Sequence, residues 1–163
     1  MSNRPDSFRE ALSRQVILFD GAMGTEIYSK GIFINRCYDE LNLAQPEIVR
    51  EIHASYRHAG ADVLTTNTFG ANAVRLAAFG LESRMAEINR AGVKLAREES
   101  RGRCWVAASI GPTGATLAPV GKISPGEAFS AFRAQAEVLE EAGADLFVLE
   151  TFSSLAELWQ AVR

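Results

Sequence analysis

The sequence predicts an α/β protein in which parallel strands alternate with helices. An internal repeat is the first indication. Residues 59–69 read AGADVLTTNTF and residues 142–152 read AGADLFVLETF. In each copy a glycine ends a helix, a short apolar strand comes next, and polar residues mark the end of that strand. The second indication is that the strands are nearly continuous apolar runs, which is typical of a parallel sheet covered by helices.

The pattern divides the chain into four strand–helix units. The predicted strands lie near residues 16–20, 62–67, 104–110 and 145–150. The predicted helices cover residues 46–60, 84–100 and 124–143, and a last one follows Ser154. Pro46 in a first turn and Gly60 at a helix end support the first of these helices. Two S-x-x-E capping boxes, Ser124 with Glu127 and Ser154 with Glu157, predict the starts of the last two.

Two architectures accept four such units. One is an open doubly wound sheet, complete in about this length. The other is half of an eight-stranded barrel, because eight units of about 42 residues fit the size of such barrels. The chain stops inside the amphipathic helix AELWQAVR without a C-cap signal, which favours the second. We therefore expect a polar N-terminal segment over residues 1–15. Residues 16–163 are expected to form the N-terminal half, about four βα units, of a (βα)8 TIM barrel, with strands in the order 1-2-3-4.

Composition limits the classes of partner. The formal net charge is −3 and there is no block rich in Lys or Arg, so nucleic acid and anionic membranes are not expected as partners. No apolar run approaches the ~18 residues of a membrane span, and the polar start lacks a signal core. We expect a cytoplasmic protein in which Cys37 and Cys104 are reduced, half-buried thiols.

Polar side chains follow each predicted strand. They are Asp20 after the first strand, Thr66, Asn67 and Thr68 after the second, Ser109 at the third, and Glu150 with Thr151 after the fourth. The carboxyl ends of parallel strands meet at one edge of the sheet, where both candidate architectures place their ligands. We therefore expect these side chains to share one site.

The residue types indicate a pocket for a free amino acid. Asp20 and Glu150 suit an ammonium group, and the backbone N–H groups of Gly21, Ala22 and Met23 suit a carboxylate. A glycosidase-like acid–base pair is an alternative, since the carboxylate separation is not fixed by the sequence. Phosphate is another, because DGAMGT and IGPTGA are glycine-rich, but neither segment has a Walker lysine or the G-x-G-x-x-G spacing.

Four motifs in order resemble one known family. They are DGAMGTE at 20–26, the run LNLAQPEIVREIHASYRHAGADVLTTNTFGAN at 41–72, IGPTG at 110–114 and LETFSSLAEL at 149–158. They resemble the homocysteine methyltransferase domain of cobalamin-dependent methionine synthases, betaine–homocysteine methyltransferases and related homocysteine S-methyltransferases. The resemblance covers Val16 to Arg163. The run from YSKG through NRCYDELNL is most similar to the methionine-synthase branch and to bacterial proteins that join this domain to a methylenetetrahydrofolate reductase.

The resemblance implies a barrel that makes methionine by methyl transfer to a zinc-activated homocysteine thiolate. In the family, the acids that match Asp20 and Glu150 contact the substrate amino group. The backbone that matches Gly21, Ala22 and Met23 takes the carboxylate, so the small residues are interpreted as room for the amino acid. The match to Asn67 lines the same pocket.

The resemblance also implies a zinc site that the motifs of this sequence do not include. Family members bind zinc through three cysteines on later strands, so the zinc ligands are expected beyond residue 163 and the fragment alone is expected to be inactive. Cys37 and Cys104 match no ligand position, and His53 and His58 are expected to be solvated on a helix.

The donor and the remaining partners follow from the resemblance only in outline. Methylcobalamin and methyltetrahydrofolate are possible methyl donors, and betaine or S-methylmethionine stay open. The expected partners are homocysteine, the remaining half of the barrel and downstream folate, cobalamin or reductase domains. A non-catalytic half-barrel with a binding or regulatory role is the alternative function.

Overall fold

A computed structural model describes residues 7–33 and 35–163 of the chain. Its centre is a parallel sheet in the order β1-β2-β3, formed by Val63–Thr65, Trp105–Ile110 and Leu146–Leu149. Val63 pairs with Trp105, and Ala107 pairs with Leu146. The predicted α/β class with parallel strands in sequential order is therefore confirmed.

The strand predicted at residues 16–20 is reduced to one parallel bridge, Phe19 with Val63. The N–H of Asp20 donates to the Val63 carbonyl (3.0 Å), which places this segment beside β1 as expected. The N–H of Leu18, however, donates to the Asp62 carboxylate (2.9 Å). At Leu18 a side chain therefore takes the place of a backbone partner.

Helices surround the sheet. They are α1 (Phe8–Arg14), α2 (Met23–Ser29), α3 (Leu41–Ala44), α4 (Pro46–His58), α5 (Ala73–Leu76), α6 (Met85–Ser100), α7 (Pro125–Glu141) and α8 (Leu155–Val162), with 3-10 turns at Ala77–Phe79 and Glu82–Arg84. The four predicted helices correspond to α4, α6, α7 and α8. The sequence pattern did not predict α1, α2, α3 or α5.

The two predicted capping boxes have different outcomes. At α7 the box is complete, because Ser124 Oγ accepts from the Glu127 N–H and Glu127 accepts from the Ser124 N–H. At α8 the Glu157 N–H donates to Ser154 Oγ (3.3 Å), but the Glu157 carboxylate instead accepts from Thr113. The second box is therefore only half formed, since a loop donor takes the carboxylate.

The segment predicted to be merely polar at the N-terminus contains α1. The helix begins after Ser7, whose Oγ accepts from the Glu10 N–H (3.2 Å). Ala11 is buried, and the Phe8 ring packs edge-on against Trp105 with centroids 5.5 Å apart. This helix therefore contributes two apolar side chains to the packing around the sheet.

The main core lies between the sheet and helices α6 and α7. Its buried members are Val93, Ala96, Val106, Ala108, Ile110, Ala128, Phe132 and Leu139. All of β2 is buried, as expected for a central parallel strand. On the β3 side, Phe147, Leu155 and Trp159 stay 43%, 84% and 62% exposed, so this part of the chain has an open apolar surface.

Three further expectations concern single side chains and the membrane. Cys37 and Cys104 are free thiols, as expected, but both are buried rather than half-buried. His58 is exposed, whereas the prediction that His53 is solvated is wrong, because His53 lies on the buried side of α4 with Val49. Within residues 7–33 and 35–163 no helix is both long enough and apolar enough to cross a bilayer.

Candidate functional site

A cavity of about 700 Å³ opens at the carboxyl ends of the strands. All six residues predicted to bind substrate line it, namely Asp20, Gly21, Ala22, Met23, Asn67 and Glu150. The structure therefore brings together residues from the first strand segment, the loop after β1 and the end of β3. This arrangement follows from the parallel sheet, which directs all these strand ends to one edge.

Asp20 has one carboxylate oxygen without a hydrogen-bond donor. Its Oδ2 accepts from the Thr65 N–H (2.7 Å). Its Oδ1 is buried and has no partner among the residues that the structure describes. Burial raises the pKa of Asp20 to about 6, against the opposing effect of the Thr65 hydrogen bonds, and the charge of Glu150 adds to the rise. The cavity thus contains a buried acceptor that a cationic donor would stabilise.

Glu150 is oriented by hydroxyl groups at neighbouring strand ends. Its Oε1 accepts from Ser109 Oγ at 2.5 Å. The Ser109 N–H donates to Thr66 Oγ1 (3.1 Å), and Thr68 Oγ1 donates to the Ser109 carbonyl (2.8 Å). Thr151, directly after Glu150, has φ of 63°, a conformation that β-branched residues rarely adopt. The orientation of Glu150 therefore depends on the ends of β1 and β2 as well as on its own strand.

Asn67 is mainly engaged with the protein itself. Its Nδ2 donates to the Tyr38 carbonyl (2.7 Å) and to Asn42 Oδ1 (3.1 Å), which uses both amide hydrogens. Asn42 Nδ2 in turn donates to the Asn67 carbonyl (2.7 Å). Only the Oδ1 of Asn67 is left to contact a ligand, and it can only accept a hydrogen bond.

Close packing against Tyr56 explains why residue 21 is a glycine. A Cβ on Gly21 would lie 2.7 Å from the Tyr56 hydroxyl oxygen, and that hydroxyl donates to the Ala22 carbonyl (3.0 Å). Gly24, by contrast, has its nearest neighbour at 3.8 Å from such a Cβ, on Tyr38. The interpretation that small residues here make room for a ligand therefore does not account for Gly21, which makes room for Tyr56.

A second wall of the cavity was not predicted from the sequence. The carboxylate of Asp39 is buried, and it accepts from the Gly70 N–H (2.8 Å) and from the Cys37 thiol (3.8 Å). The Arg75 guanidinium lies 5.0 Å from the centroid of the Phe69 ring. Cys37, Asp39, Phe69 and Arg75 all line the cavity. The signal for this wall is distributed over NRCYDELNL and TNTFGANAVR, which only the fold brings together.

The described residues do not fit a zinc site. No group of three His, Cys, Asp or Glu side chains in residues 7–33 and 35–163 is placed to hold a metal ion. Burial, and next the charge of Asp39, raise the pKa of Cys37 to about 11, so this thiol is protonated at neutral pH. The Cys104 thiol donates to the Ala61 carbonyl (3.2 Å), just before β2 and away from the strand ends that form the cavity.

Comparison with known proteins agrees with the motifs that lie around this cavity. The family model described as homocysteine S-methyltransferase matches residues 17–163. The chain belongs to this family. The resemblance stated from the sequence motifs is therefore confirmed.

The chain is similar to proteins named methionine synthase and to a protein named homocysteine methyltransferase. The methionine synthases of Mycobacterium tuberculosis and Mycobacterium leprae are 31% and 29% identical, over 94% of this chain and 14% of their own length. Among solved structures, the metallated form of the homocysteine methyltransferase MmuM from Escherichia coli is 30% identical with a TM-score of 0.79. That match covers 93% of this chain and 59% of MmuM. The chain thus spans only part of the length of these relatives.

Proposed function

We propose that the chain carries the amino-acid site of a homocysteine S-methyltransferase, an enzyme that forms methionine by methyl transfer to the homocysteine thiol. The observation that carries this proposal is the buried, unpaired Oδ1 of Asp20, a residue that lines the cavity together with Glu150. A substrate ammonium offers three N–H donors and a positive charge, which both carboxylates favour. The names of the relatives support homocysteine as the amino acid.

The remaining contacts of the amino acid follow from the other cavity residues. The backbone N–H groups of Gly21, Ala22 and Met23, at the start of α2, take the carboxylate. Asn67 contributes as an acceptor through Oδ1, because its amide hydrogens are already used. This assignment leaves the thiol as the group that must face the methyl donor.

The chemistry of the thiol is not assigned to the described residues. Methyl transfer to sulfur requires a thiolate, and the side chains in residues 7–33 and 35–163 do not form a metal site that would produce one. Several expectations from the sequence stay predictions. They are zinc with ligands beyond residue 163, a methylcobalamin or methyltetrahydrofolate donor, downstream partner domains, inactivity of the fragment alone and a cytoplasmic location. The described residues contribute the binding and orientation of the amino acid.

The half-barrel is part of this proposal. Three parallel strands plus the bridge at Phe19 run in sequential order, as in a barrel. The match to MmuM over 59% of its length and the exposed apolar side chains beside β3 support a sheet that continues in a complete barrel. In that arrangement the residues of this chain form about half of the rim.

Calorimetric titration of L-homocysteine into the chain under reducing conditions tests the proposal. We expect Asp20→Asn and Glu150→Gln each to weaken binding about tenfold or more, because each removes a charge-assisted contact. 4-Mercaptobutanoate, which lacks the amino group, should bind equally to wild type and both variants. Glu137→Gln, on the exposed side of α7, is the matched control. Homocysteine binding that is unchanged in both site variants would refute the assignment.

A further inference from the structure

Two cations of the cavity, Arg36 and Arg75, have no role in the contacts proposed above; Arg36 is exposed, whereas Arg75 is half-buried. Arg75 lines the cavity, while the ammonium is assigned to the two carboxylates and the amino-acid carboxylate to the backbone at residues 21–23. We infer that Arg75 binds the carboxylate of a ligand in this cavity, and that this carboxylate belongs to the methyl donor. The inference rests on the proposed function, because it takes the assignment of the amino acid as its starting point.

The Arg75 side chain has a defined place. The N–H of Arg75 donates to Asn72 Oδ1 (2.9 Å), which fixes the start of α5. Its guanidinium lies over the Phe69 ring, a favourable cation–π arrangement. A Cβ on Gly70 would lie 2.9 Å from the Arg75 Nε, so the glycine leaves room for the arginine. A guanidinium held in this way loses less conformational entropy when it binds an anion.

The charge of Arg75 is poorly compensated by the protein. Among the other half-buried arginines, Arg50, Arg84 and Arg97 each have a carboxylate oxygen within 4 Å, whereas the Arg57 side chain, which does not line the cavity, has a polar contact only with His58 among the described residues. Arg75 has no carboxylate oxygen within 4 Å among residues 7–33 and 35–163. The nearby acid is Asp39. Its carboxylate already accepts from the Gly70 N–H (2.8 Å) and from the Cys37 thiol (3.8 Å), and it forms no ion pair with Arg75 within 4 Å.

The cavity has room for a second ligand. The part of the cavity that this chain forms has a volume of about 700 Å³, and a four-carbon amino acid needs only part of it. Phe79 also lines the cavity and is 46% exposed, so an aromatic surface is available to an onium methyl group. A carboxylate at Arg75 would orient such a donor, since an arginine fork fixes both position and direction.

The test compares ligands with and without a carboxylate. L-Homocysteine is paired with 3-aminopropane-1-thiol, and glycine betaine is paired with tetramethylammonium. Each ligand is titrated into the 163-residue chain as wild type, Arg75→Gln, Arg75→Lys and Arg90→Gln, with circular dichroism to verify folding. Arg90 is exposed and pairs with Glu141, so it serves as the matched control.

We expect Arg75→Gln to weaken the binding of glycine betaine about ten- to a hundredfold and to leave tetramethylammonium unchanged. Arg75→Lys should retain most of the affinity, because the charge is kept. A loss confined to homocysteine, with 3-aminopropane-1-thiol and glycine betaine unaffected, would contradict the inference, because the carboxylate at Arg75 would then belong to the amino acid.

Two further results would overturn the inference. One is an equal effect of Arg75→Gln on both members of each pair, which would mean that Arg75 only holds the loop in place. The other is the absence of any effect. If homocysteine binding depends on Asp20 but no ligand depends on Arg75, the proposed function stands and this inference fails. If wild type binds no homocysteine, the proposed function fails, while the glycine betaine pair still decides the role of Arg75.

Discussion

Asp20 shows how a single residue connects the fold to recognition. It follows the one bridge pair of the first strand segment, and the Thr65 N–H next to it satisfies only one of its carboxylate oxygens. Because burial raises its pKa to about 6, the carboxylate is ionised at neutral pH but close to protonation. Its affinity for an ammonium should therefore depend on pH in a range where few other side chains titrate.

The first prediction follows from this pKa. Homocysteine binding should weaken as pH falls through about 6, because protonated Asp20 no longer attracts the ammonium. The ligand ammonium in turn favours ionised Asp20, so binding near pH 6 should release protons. Calorimetry in two buffers with different ionisation enthalpies measures that release. In Asp20→Asn the release should disappear and the affinity should be low throughout. An affinity that is constant from pH 5 to 7 would exclude Asp20 as the ammonium contact.

Residues around Asp20 show what a sequence can and cannot predict about a site. Asp20, Asn67 and Glu150 were predicted because strand ends follow from local apolar runs, and parallel strands meet at one edge. The hydrogen bond from Ser109 to Glu150 and the contact of Gly21 with Tyr56 depend on side chains that are distant in the sequence. No local pattern contains that information.

At the scale of elements, helix length largely decides what could be predicted. Helices α4, α6 and α7 have 13, 16 and 17 residues, and their caps and apolar stripes identify them in the sequence. Helices α1 and α2 have seven residues each, and each has a single buried side chain, Ala11 and Ile27 respectively. Two turns with one buried position have no readable periodicity, so tertiary packing rather than pattern determines these helices.

Two identical helix-start motifs lead to the second prediction. Glu127 closes the exposed capping box of α7, whereas Glu157 is buried and accepts from the Thr113 N–H (2.8 Å) and hydroxyl (2.6 Å). Glu157 thus connects α8 to the loop after β2. Glu157→Gln should lower the free energy of unfolding by about 1–3 kcal/mol, because a charged acceptor for two buried donors is lost. Urea denaturation measures the change.

Glu127→Gln is the matched control for this prediction, since it changes the same helix position in a solvated setting. Glu127→Gln should lower the free energy of unfolding by clearly less than Glu157→Gln, because water can replace the acceptor. The two glutamates differ only in what the fold places beside them. Equal losses in both variants would mean that the contact between Glu157 and Thr113 contributes nothing beyond an ordinary helix cap.

For the whole molecule, stability against acid depends on two groups with opposite effects. Burial lowers the pKa of His53 to about 4, and both ring nitrogens lack a partner within the described part of the chain. The folded state keeps His53 neutral while the unfolded state takes up a proton below about 6.5. Stability from His53 is therefore complete above that pH and is lost as pH falls towards 4. Asp20 acts in the other direction, because its raised pKa makes the folded state bind the proton first as pH falls through about 6.

The last prediction separates these two effects by substitution. Wild type should show a shallow pH dependence of stability between pH 6.5 and 4, since the two groups oppose each other there. Between pH 6.5 and 4, the free energy of unfolding of His53→Leu should fall by about 3 kcal/mol less than that of wild type. This figure follows from the lowering of the His53 pKa from 6.5 to about 4. Asp20→Asn should steepen the loss of stability on acidification, because the opposing effect of Asp20 is then absent. Urea denaturation of the three proteins from pH 7.5 to 4 gives the comparison, and differences between profiles cancel the titration of all other carboxylates. If the free energy of unfolding changes with pH in the same way in wild type and His53→Leu, then His53 takes up its proton in the folded protein at the same pH as in the unfolded protein. Water or an acidic group would then have to reach the buried side of α4.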